Sequence, residues 1–406
     1  MQNKKKIIIV GGGPSGLFCA FQLLKRGYQV ELFDHMSAPG KKFLVAGNGG
    51  LNITHSEKLE DFSPNYGKDT AIFTELLNSF SADDLRSWCN EIGVETFIGS
   101  SGRVFPTTFK AADVLKKWLT IMKSNENFTL KLKHKLIAIS KDLELTFTFD
   151  NKEHHVETKN CITILALGGG SYQKTGSDGQ WIEMVKKLNI EVAELAPMNC
   201  GFEHSWSDFF IEKIDRAPLK NISLTHQKAS VSGELMITPF GFEGGAIYAL
   251  SSSLRDEIDS CGEASMFVDL KPQLSLTDLT KKILNRKKKE SLSNFLRKTV
   301  KISKEGVALI NELSQRDKLS ESDYLASQIK HLKITLASTR SLEEAISTSG
   351  GVTFSSLDKS LECLSYPDLY FAGEMLDFEA PTGGYLLQGC FTTAWRVAQS
   401  IVSKDS

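Results

Sequence analysis

The first part of this chain, up to residue 34, constrains the fold more than any other segment. A short apolar run, Lys6–Val10, leads into the glycine-rich segment Gly11–Gly16, and an apolar helical pattern begins at Leu17. A second apolar run ends on Asp34, eighteen residues after Gly16. This order predicts a buried strand, a tight turn, a helix and a second strand with an acidic residue at its end.

The spacing of these glycines suits the binding of a dinucleotide. Gly11 lets the chain turn tightly, Gly13 lets the backbone approach a pyrophosphate, and Gly16 lets the helix pack closely on the strand. The pyrophosphate then lies at the positively polarised start of the helix, and Asp34 is placed to accept a hydrogen bond from a ribose hydroxyl. The alternative interpretation of these glycines is a tight turn of the kind found in any α/β protein. The dinucleotide site is favoured because the strand, the helix and the acidic residue all occur at the expected spacing.

Composition limits the classes to which the chain can belong. Its 406 residues exceed one ordinary domain, and 41% hydrophobic with 24% charged residues is typical of a globular protein. A net charge of −1 gives no general attraction to nucleic acid or membrane. Seven scattered cysteines without a C-x-x-C pair indicate reduced thiols, not a disulfide frame or a metal site. With no signal peptide or membrane-spanning segment in the pattern, we expect a cytoplasmic protein.

Changes in composition predict two domains. Buried-strand character fades near Ala196 and returns at Leu369–Ala372. We therefore predict a discontinuous nucleotide-binding domain at 1–195 and 346–406. The inserted domain at 196–345 is expected to be β-rich over 200–270 and helical over 275–345, and to supply most of a substrate pocket.

Periodicity predicts several local elements. Helical spacing of apolar residues predicts helices over 71–93 and over Ala111–Lys123, and alternation over 128–160 predicts a β-meander. The continuous apolar run Cys161–Leu167 predicts a buried parallel strand. The basic run at 281–289 is predicted to be one solvated helix face.

Further glycine clusters follow the first turn. The segment Gly40–His55 is rich in glycine and asparagine, and glycines also follow the apolar runs that end near Leu167 and Phe371. Glycine permits close approach of the backbone to a ligand. Each cluster alone is equally an ordinary turn or surface loop, whereas their recurrence at strand ends favours contact with one common ligand.

Together these motifs resemble the glutathione-reductase-type FAD fold, an α/β architecture with a Rossmann-like domain. More narrowly, four stretches resemble the YhiN/BaiN-like (aminoacetone-oxidase-like) bacterial flavoproteins: Gly40–His55, Gly102–Pro106, Gly169–Gly179 and Gly350–Gln388. They span nearly the whole chain in family order. The chain departs from the family pattern at Ala46–Asn52, where the usual arginine is missing, and at Thr238–Gly245. These departures resemble an uncharacterised sub-branch.

The resemblance implies FAD and a role for each matching residue. Because no cysteine or histidine falls within the first glycine turn, we expect the FAD to be non-covalently bound. The first glycine turn would hold the pyrophosphate, Asp34 the ribose, and the backbone of Leu136 the adenine. Glu374 and Asp377 would meet the ribityl–pyrophosphate region. The cofactor-binding residues so implied are Gly11, Gly13, Pro14, Ser15, Gly16, Asp34, Lys42, Gly47, Asn48, Gly49, Asn52, Leu136, Ala166, Gly168, Gly373, Glu374, Asp377, Gly383, Gly384, Tyr385 and Leu386.

Three residues are candidates for catalysis, each with an alternative. His55 follows the flavin-side loop and is of the residue type suited to acid–base chemistry, but a loop-capping or solvent-exposed histidine is the favoured explanation. Arg103 suits an anionic substrate or the flavin edge, or else a structural salt bridge. Tyr385 is a candidate proton donor, or packs under the flavin ring.

The resemblance implies an FAD-dependent oxidoreductase that passes hydride through flavin N5 to or from a small organic substrate between the two domains. No second Gly-x-Gly-x-x-G segment is present, so NAD(P)H is expected to bind transiently in the same cleft. Two alternatives stay open. One is an amine oxidase that uses O₂. The other is an RNA-associated or non-catalytic flavoprotein, which rests only on the basic run at 281–289. The oligomeric state has no signal in the sequence.

Overall fold

The structure is a computed structural model that describes residues 4–47, 49–287 and 289–405. The chain forms two compact units. The first combines Met1–Ala196 with Ile346–Ser406, and the second is Pro197–Ala345. Among the described residues, no helix combines the length and the apolar character needed to cross a bilayer.

The described part of the chain contains twenty strands and fifteen α-helices, joined by turns and loops. The strands are β1 (Lys6–Val10), β2 (Val30–Asp34), β3 (Thr54–His55), β4 (Thr96–Ile98), β5 (Arg103–Pro106), β6 (Phe128–Leu132), β7 (Lys135–Ile139), β8 (Leu145–Phe149), β9 (Lys152–Val156), β10 (Cys161–Leu165), β11 (Val192–Met198), β12 (Phe202–Glu203), β13 (Ala217–His226), β14 (Ala229–Thr238), β15 (Gly241–Glu243), β16 (Ala264–Asp269), β17 (Leu332–Leu336), β18 (Ser338–Thr339), β19 (Ser347–Val352) and β20 (Leu369–Phe371). The helices are α1 (Pro14–Lys25), α2 (Lys41–Ala46), α3 (Leu59–Phe62), α4 (Thr70–Ser79), α5 (Ala82–Glu91), α6 (Ala111–Lys123), α7 (Ile182–Lys186), α8 (Asp208–Ile211), α9 (Gly245–Tyr248), α10 (Ser251–Cys261), α11 (Leu276–Leu284), α12 (Leu292–Phe295), α13 (Lys304–Leu313), α14 (Ser322–Lys330) and α15 (Tyr385–Lys404).

The first unit is built on a five-stranded parallel sheet in the order β20-β10-β1-β2-β6. Its central strands are continuous apolar runs, as expected of a parallel sheet covered on both faces. Helices α1 and α15 pack on one another, and Phe18 contacts Trp88 and Phe391 in the core between them. Because parallel strands end at one edge of the sheet, the segments that follow β1, β2, β10 and β20 meet there.

The predicted helix over 71–93 is wrong in one respect, because the structure has two helices there. Helix α4 ends at Ser79, and Ser81 begins α5 with a capping box. The Ser81 hydroxyl accepts from the backbone N–H of Asp84, and the Asp84 carboxylate accepts from the backbone N–H of Ser81. Such a reciprocal cap starts a new helix and so breaks the apparent continuity.

The predicted meander over 128–160 is also shorter than expected. Strands β7, β8 and β9 form an antiparallel three-stranded sheet, and Asp150 and Asn151 close the β8–β9 hairpin with φ of 50° and 61°. Two positive φ values in succession are those of a tight hairpin turn that matches strand twist. Strand β6, however, pairs in parallel with β2 and belongs to the five-stranded sheet.

The second unit contains a seven-stranded antiparallel sheet in the order β17-β16-β13-β14-β15-β12-β18, together with helices α8 to α14. It has its own apolar core, formed by residues such as Leu224, Met266 and Ile310. The predicted single helix face at 281–289 is wrong. Helix α11 ends at Leu284, and the described basic residues beyond it lie outside the helix.

Candidate dinucleotide and active site

A cleft of about 660 Å³ lies in the first unit, at the carboxyl ends of the parallel strands. This is the edge at which open α/β sheets bind their ligands. Its lining residues come from the first glycine turn, the end of β2 and the segment after it, helix α2, the segments after β10 and β20, and helix α15. They are Gly11, Gly12, Gly13, Pro14, Ser15, Asp34, His35, Met36, Ala38, Gly40, Lys41, Lys42, Ala166, Leu167, Gly168, Thr175, Gly176, Ser177, Ala372, Glu374 and Cys390.

The three motif glycines differ in what surrounds them. A Cβ added at Gly11, whose φ is 111°, would stand 2.1 Å from the carbonyl oxygen of Ala166. A Cβ added at Gly16 would stand 1.9 Å from the carbonyl oxygen of Gly11. At Gly13, in contrast, an added Cβ would meet no heavy atom within 4 Å. The fold itself therefore requires Gly11 and Gly16, whereas Gly13 leaves open space at the start of α1.

Helix α1 begins with Pro14 at its first turn, and Gly13 caps it without a side-chain hydrogen bond. Proline suits this position because the first helical N–H groups have no partner within the helix. The start of α1 therefore presents backbone N–H groups and a positive dipole end to the cleft, which is the environment that a phosphate group requires.

The Asp34 carboxylate is held by backbone donors on either side. Its Oδ2 accepts from the N–H of Gly12 at 2.8 Å, and its Oδ1 accepts from the N–H of Met36 at 2.7 Å. Burial raises the pKa of this carboxyl group above its ordinary value, although both hydrogen bonds oppose the shift. Each oxygen still has a lone pair to accept a ribose hydroxyl.

Lys42 and Glu374 meet in the cleft, although 332 residues separate them in the chain. The Lys42 Nζ lies 2.6 Å from Glu374 Oε2 and 2.8 Å from the hydroxyl of Ser171. The second oxygen of Glu374 accepts from the backbone N–H of Thr348 at 3.3 Å. Both charges are thus partnered, and the ammonium group stands where it can neutralise part of a bound pyrophosphate.

Asp377 lies three residues beyond Glu374, but its partners are outside the cleft lining. Its Oδ2 accepts from Lys68 Nζ at 2.8 Å. Asp69, next to Lys68, is only 8% exposed, and its Oδ2 has no hydrogen-bond partner among the described residues. Burial raises the pKa of Asp69 to about 6, with Asp377 and Glu379 adding to the shift and Lys68 opposing it.

We expect Asp69→Asn to stabilise the protein at neutral pH. Because the folded pKa lies above the ordinary value, the folded state binds the proton more tightly than the unfolded chain does. Ionisation therefore lowers the free energy of unfolding as pH rises from about 4 to about 6, and the full penalty persists above that range. The variant should gain about 1–3 kcal/mol at pH 7 and about nothing at pH 4, measured by urea unfolding. Asp61→Asn, at an exposed carboxylate, is the control, and an equal gain at both pH values would contradict the assignment.

The three predicted catalytic candidates come together at the start of α15. Strand β3 pairs with β5 so that His55 lies directly opposite Arg103. The His55 ring stacks on that of Tyr385, with centroids 5.3 Å apart and planes at 18°. The Tyr385 hydroxyl donates to Glu57 Oε2 at 2.8 Å. Sequence reasoning missed Glu57, because one acidic residue in a polar loop carries no signal of its own.

Both ring nitrogens of His55 are engaged by the backbone. Nε2 lies 2.9 Å from the carbonyl oxygen of Ser101, and Nδ1 accepts from the N–H of Glu57 at 3.3 Å. A carbonyl only accepts hydrogen bonds, so this pairing requires the proton on Nε2. The geometry is that of a residue which holds the loop after β3 and supports the ring of Tyr385.

Tyr385 is held as a neutral phenol. Burial and the hydrogen bond to Glu57 raise its pKa far above the ordinary value, while Arg103 lowers it to a smaller extent. Arg103 itself is exposed, and its guanidinium makes no ion pair or hydrogen bond with another residue in the described part of the chain. The cluster therefore combines a protonated hydroxyl with an unpaired cation.

Helix α15 joins this cluster to the cleft. Tyr385 is its first residue, and Cys390, five residues later, lines the cleft. Five residues of α-helix span about 7.5 Å along the axis. Gly384 caps the helix with φ of 99° and lies against the backbone of Thr54 in β3. The close approach at Gly384 fixes the start of α15 against the small sheet that carries His55.

Several predicted cofactor residues do not line the cleft. Leu136 is buried in β7, Gly47 packs on Ala111, Gly373 packs on Ser15, and Leu386 is half-buried in α15. Gly49, with φ of 85°, and Gly383, with φ of 126°, also stand outside the lining. Asn48 lies outside the described residues.

Asn52 provides an acceptor without a partner. Its Nδ2 donates to the carbonyl oxygens of Thr54 at 2.8 Å and Val104 at 3.1 Å. Its Oδ1 is buried and has no hydrogen-bond partner within the described part of the chain. A buried amide oxygen normally finds a donor, so this atom indicates a partner outside the described residues.

The family model described as the HI0933-like protein Rossmann domain matches residues 5–400. The chain belongs to the HI0933-like family. This result confirms the resemblance drawn from the motifs, the α/β Rossmann fold class and the classification as an FAD-dependent oxidoreductase.

Two curated relatives of this HI0933-like protein match over nearly their whole length. A ribosomal RNA dihydrouridine synthase from Escherichia coli (strain K12) is 24% identical over 415 residues, covering 98% of both chains. A 3-dehydro-bile acid delta(4,6)-reductase from Clostridium scindens is 24% identical over 423 residues, covering 98% of this chain and 99% of the relative.

A solved structure shows the same fold. It is the 3-ketosteroid-delta4-(5alpha)-dehydrogenase from Rhodococcus jostii RHA1 in complex with 4-androstene-3,17-dione. The TM-score is 0.53 at 13% identity, with 98% of this chain and 97% of that chain covered. At this identity the similarity establishes the fold of the HI0933-like chain and nothing finer.

The observed geometry fits FAD as the cofactor of this HI0933-like protein. The open space at Gly13 leaves room for a pyrophosphate at the start of α1, Asp34 offers acceptors for a ribose, and Lys42 offers a cation. The unpartnered Oδ1 of Asn52 suits a donor on the flavin side. These four residues, with Glu374, are the ones that we expect to hold FAD.

Proposed function

We propose that this protein uses FAD to reduce a carbon–carbon double bond conjugated to a carbonyl group in a small organic substrate. The observation that carries the proposal is the meeting of Tyr385, Glu57 and an unpaired Arg103 at the start of α15, the helix that also lines the cleft. A neutral hydroxyl and a cation are the two protein groups that such a reduction needs.

FAD, when bound and reduced by two electrons, would supply a hydride through N5 and return to its oxidised form. In the substrate, the hydride adds to the carbon β to the carbonyl, and the electron pair of the double bond moves towards the carbonyl oxygen. Arg103 is suited to stabilise the negative charge that develops on this oxygen. Tyr385 is suited to give its proton to the α carbon, because its hydroxyl is protonated at neutral pH. NADH or NADPH, bound transiently, would supply the electrons.

The printed activities of two similar proteins support this class of substrate. One curated relative is a 3-dehydro-bile acid delta(4,6)-reductase, and the structural neighbour is a 3-ketosteroid dehydrogenase crystallised with 4-androstene-3,17-dione. Both names describe double bonds in ring systems that carry a keto group.

The test separates the two half-reactions by anaerobic stopped-flow absorbance of the flavin. The oxidised protein is mixed with NADH or NADPH, and photoreduced protein is mixed with cyclohex-2-en-1-one. Fast bleaching with a nicotinamide and fast return of colour with the enone are expected. If air-saturated buffer restores colour quickly but the enone does not, the proposal is wrong and an oxidase, such as an amine oxidase, is favoured instead.

A second candidate is reduction of uracil within RNA. It is favoured by the curated relative named ribosomal RNA dihydrouridine synthase. The uracil ring also carries a double bond conjugated to a carbonyl, so the same protein groups would serve.

A basic groove in the second unit also favours this candidate. The groove, of about 980 Å³, is lined by Lys220, Lys271, Arg297 and Lys301, and no carboxylate is among its described lining residues. Binding to RNA should weaken steeply with salt and should fall in Lys271→Glu. Lys281→Glu, in the last turn of α11, is the matched control. Lys281 belongs to the basic run but does not line the groove, so this variant should bind RNA as wild type does. The absence of binding to RNA at low salt would eliminate this candidate.

A further inference from the structure

The segment after β3 brings a carboxylate to the hydroxyl of Tyr385. Glu57 Oε2 accepts from this hydroxyl at 2.8 Å, although 328 residues separate the two residues in the chain. The backbone N–H of Glu57 also donates to Nδ1 of His55 at 3.3 Å. Glu57 is therefore held at its main chain as well as at its carboxylate, and the contact with Tyr385 is built by the fold.

Tyr385 itself is enclosed. The His55 ring stacks on its ring at 5.3 Å between centroids, and the Phe62 ring stands 4.8 Å away at an angle of 65°. A Cβ added at Gly383 would lie 3.0 Å from the Tyr385 ring. The backbone carbonyl of Tyr385 accepts from the hydroxyl of Tyr66 at 2.7 Å. With only 7% of the residue exposed, Tyr385 has little direct contact with solvent.

Glu57, in contrast, reaches the solvent, because 35% of its side chain is exposed. Its carboxylate thus contacts water as well as the hydroxyl of the enclosed Tyr385. A carboxyl group accepts hydrogen bonds when it is ionised and donates one when it is protonated. A single carboxyl group in this position is therefore able to take a proton from water and give it to the phenol oxygen.

The neighbouring charged and titratable side chains do not supply this proton. Nδ1 of His55 lies 3.6 Å from Glu57 Oε1, but it already accepts from the backbone N–H of Glu57. The ring proton of His55 is on Nε2 and points to the carbonyl oxygen of Ser101. Arg103 lowers the pKa of Tyr385, yet a guanidinium does not release a proton in proteins. The proton on Glu57 therefore comes from water.

We propose that Glu57 is a proton relay, which takes a proton from water and passes it to Tyr385 as Tyr385 protonates the substrate. Glu57 does not touch the substrate in this role and acts only through Tyr385. The inference rests on the proposed function, because it names the source of the proton that the α carbon receives.

The transfer balances in protons and charge. Hydronium protonates Glu57 and leaves as water. The O–H bond of Tyr385 then breaks as a C–H bond forms at the α carbon, and the proton of Glu57 forms a new O–H bond on the phenol oxygen. Glu57 ends as a carboxylate, Tyr385 as a neutral phenol and the substrate enolate as a ketone. Without the relay, a phenolate would be left 2.8 Å from a carboxylate, and like charges this close repel each other.

The test is anaerobic stopped-flow reoxidation of the reduced flavoprotein by cyclohex-2-en-1-one. In Glu57→Gln the amide oxygen still accepts from Tyr385 but the side chain cannot carry a proton, so reoxidation should slow by about tenfold or more. Reduction of the flavin by NADH or NADPH should be unchanged in this variant. Glu60→Gln, at an exposed carboxylate of α3, is the matched control and should reoxidise as wild type does.

Two further readouts separate a relay from a purely structural role of Glu57. Glu57→Ala should be as slow as Glu57→Gln, and added formate should restore most of the rate in Glu57→Ala alone, because only there is space left for a small acid. In mixtures of H₂O and D₂O, two moving protons should give a curved dependence of the wild-type rate on the deuterium fraction. Glu57→Gln should give a straight line.

Flavin content and circular dichroism establish that each variant is folded, and Glu57→Gln carries the test if Glu57→Ala is not. Equal reoxidation rates in wild type and Glu57→Gln would overturn the relay and leave the proposed reductase intact. A slow, folded Glu57→Ala that formate does not restore would also overturn the relay. If cyclohex-2-en-1-one does not reoxidise the wild-type flavin, the proposed function is wrong and the relay falls with it.

Discussion

Gly13→Val should purify as a folded protein that has lost its yellow colour. Gly13 has φ of −75°, which valine adopts freely, and an added Cβ meets no heavy atom of the chain within 4 Å. The free energy of unfolding should therefore change by less than about 1 kcal/mol. The new side chain fills the space at the start of α1, so FAD affinity should fall by about 3 kcal/mol, or roughly a hundredfold in Kd.

Gly16→Val is the matched control within the same turn. Its Cβ would overlap the carbonyl oxygen of Gly11 at 1.9 Å, so this variant should fail to fold or should unfold at a much lower temperature. Flavin content by absorbance and unfolding by circular dichroism separate the two effects. A Gly13→Val protein that retains its full flavin content would refute the assignment of this turn to the pyrophosphate.

Gly384→Ala should have the largest effect on stability among the substitutions at the start of α15. Gly384 has φ of 99°, and an added Cβ would stand 2.6 Å from two backbone atoms of Thr54. Backbone cannot move aside as a flexible side chain does, and the left-handed conformation adds strain. The free energy of unfolding should fall by at least about 3 kcal/mol, as measured by urea unfolding.

The control for Gly384→Ala is Gly245→Ala at the first position of α9. No heavy atom lies within 4 Å of its added Cβ, so stability should be unchanged or slightly higher. If Gly384→Ala is as stable as wild type, the contact between α15 and β3 is not what fixes the position of Tyr385.

The sequence was most informative where the chemistry of a site is local. Gly11, Gly13, Gly16 and Asp34 lie within one strand–helix–strand unit, so their spacing alone predicts a turn, a helix start and an acceptor at one sheet edge. Each of these residues lines the cleft or packs directly behind it. The ion pair of Lys42 and Glu374 was beyond such reasoning, because only the completed sheet brings these side chains together.

The cluster of side chains at the start of α15 is the opposite case. Nothing local relates His55, Arg103 and Tyr385, because their positions are far apart in the chain. The pairing of β3 with β5 and the contact of Gly384 with Thr54 make them neighbours. Glu57 has no distinguishing pattern in the sequence. It matters only because long-range packing brings its carboxylate to the Tyr385 hydroxyl.

Two errors in the predicted secondary structure have physical causes. Apolar residues keep their helical spacing across the boundary between α4 and α5, and only the capping box of Ser81 and Asp84 indicates that a new helix starts there. Strand β6 alternates like a meander strand because it is at the edge of the sheet and is not fully buried. Alternation of apolar and polar residues indicates that one face of a strand is exposed. It does not distinguish a parallel edge strand from an antiparallel strand.

The order of strands in the parallel sheet also limits when the protein can acquire its cofactor during synthesis. The segment after strand β20 provides Glu374 of the cleft wall, and helix α15 provides Cys390, and both are made later than residues 1–345. Residues 197–345, whose sheet is complete within that range, emerge from the ribosome earlier. Since domains fold as units during translation, we expect the inserted unit to fold first while β10 waits for its sheet neighbour β20. A nascent chain that stops before residue 369 therefore lacks a finished cradle and has no means of retaining a flavin.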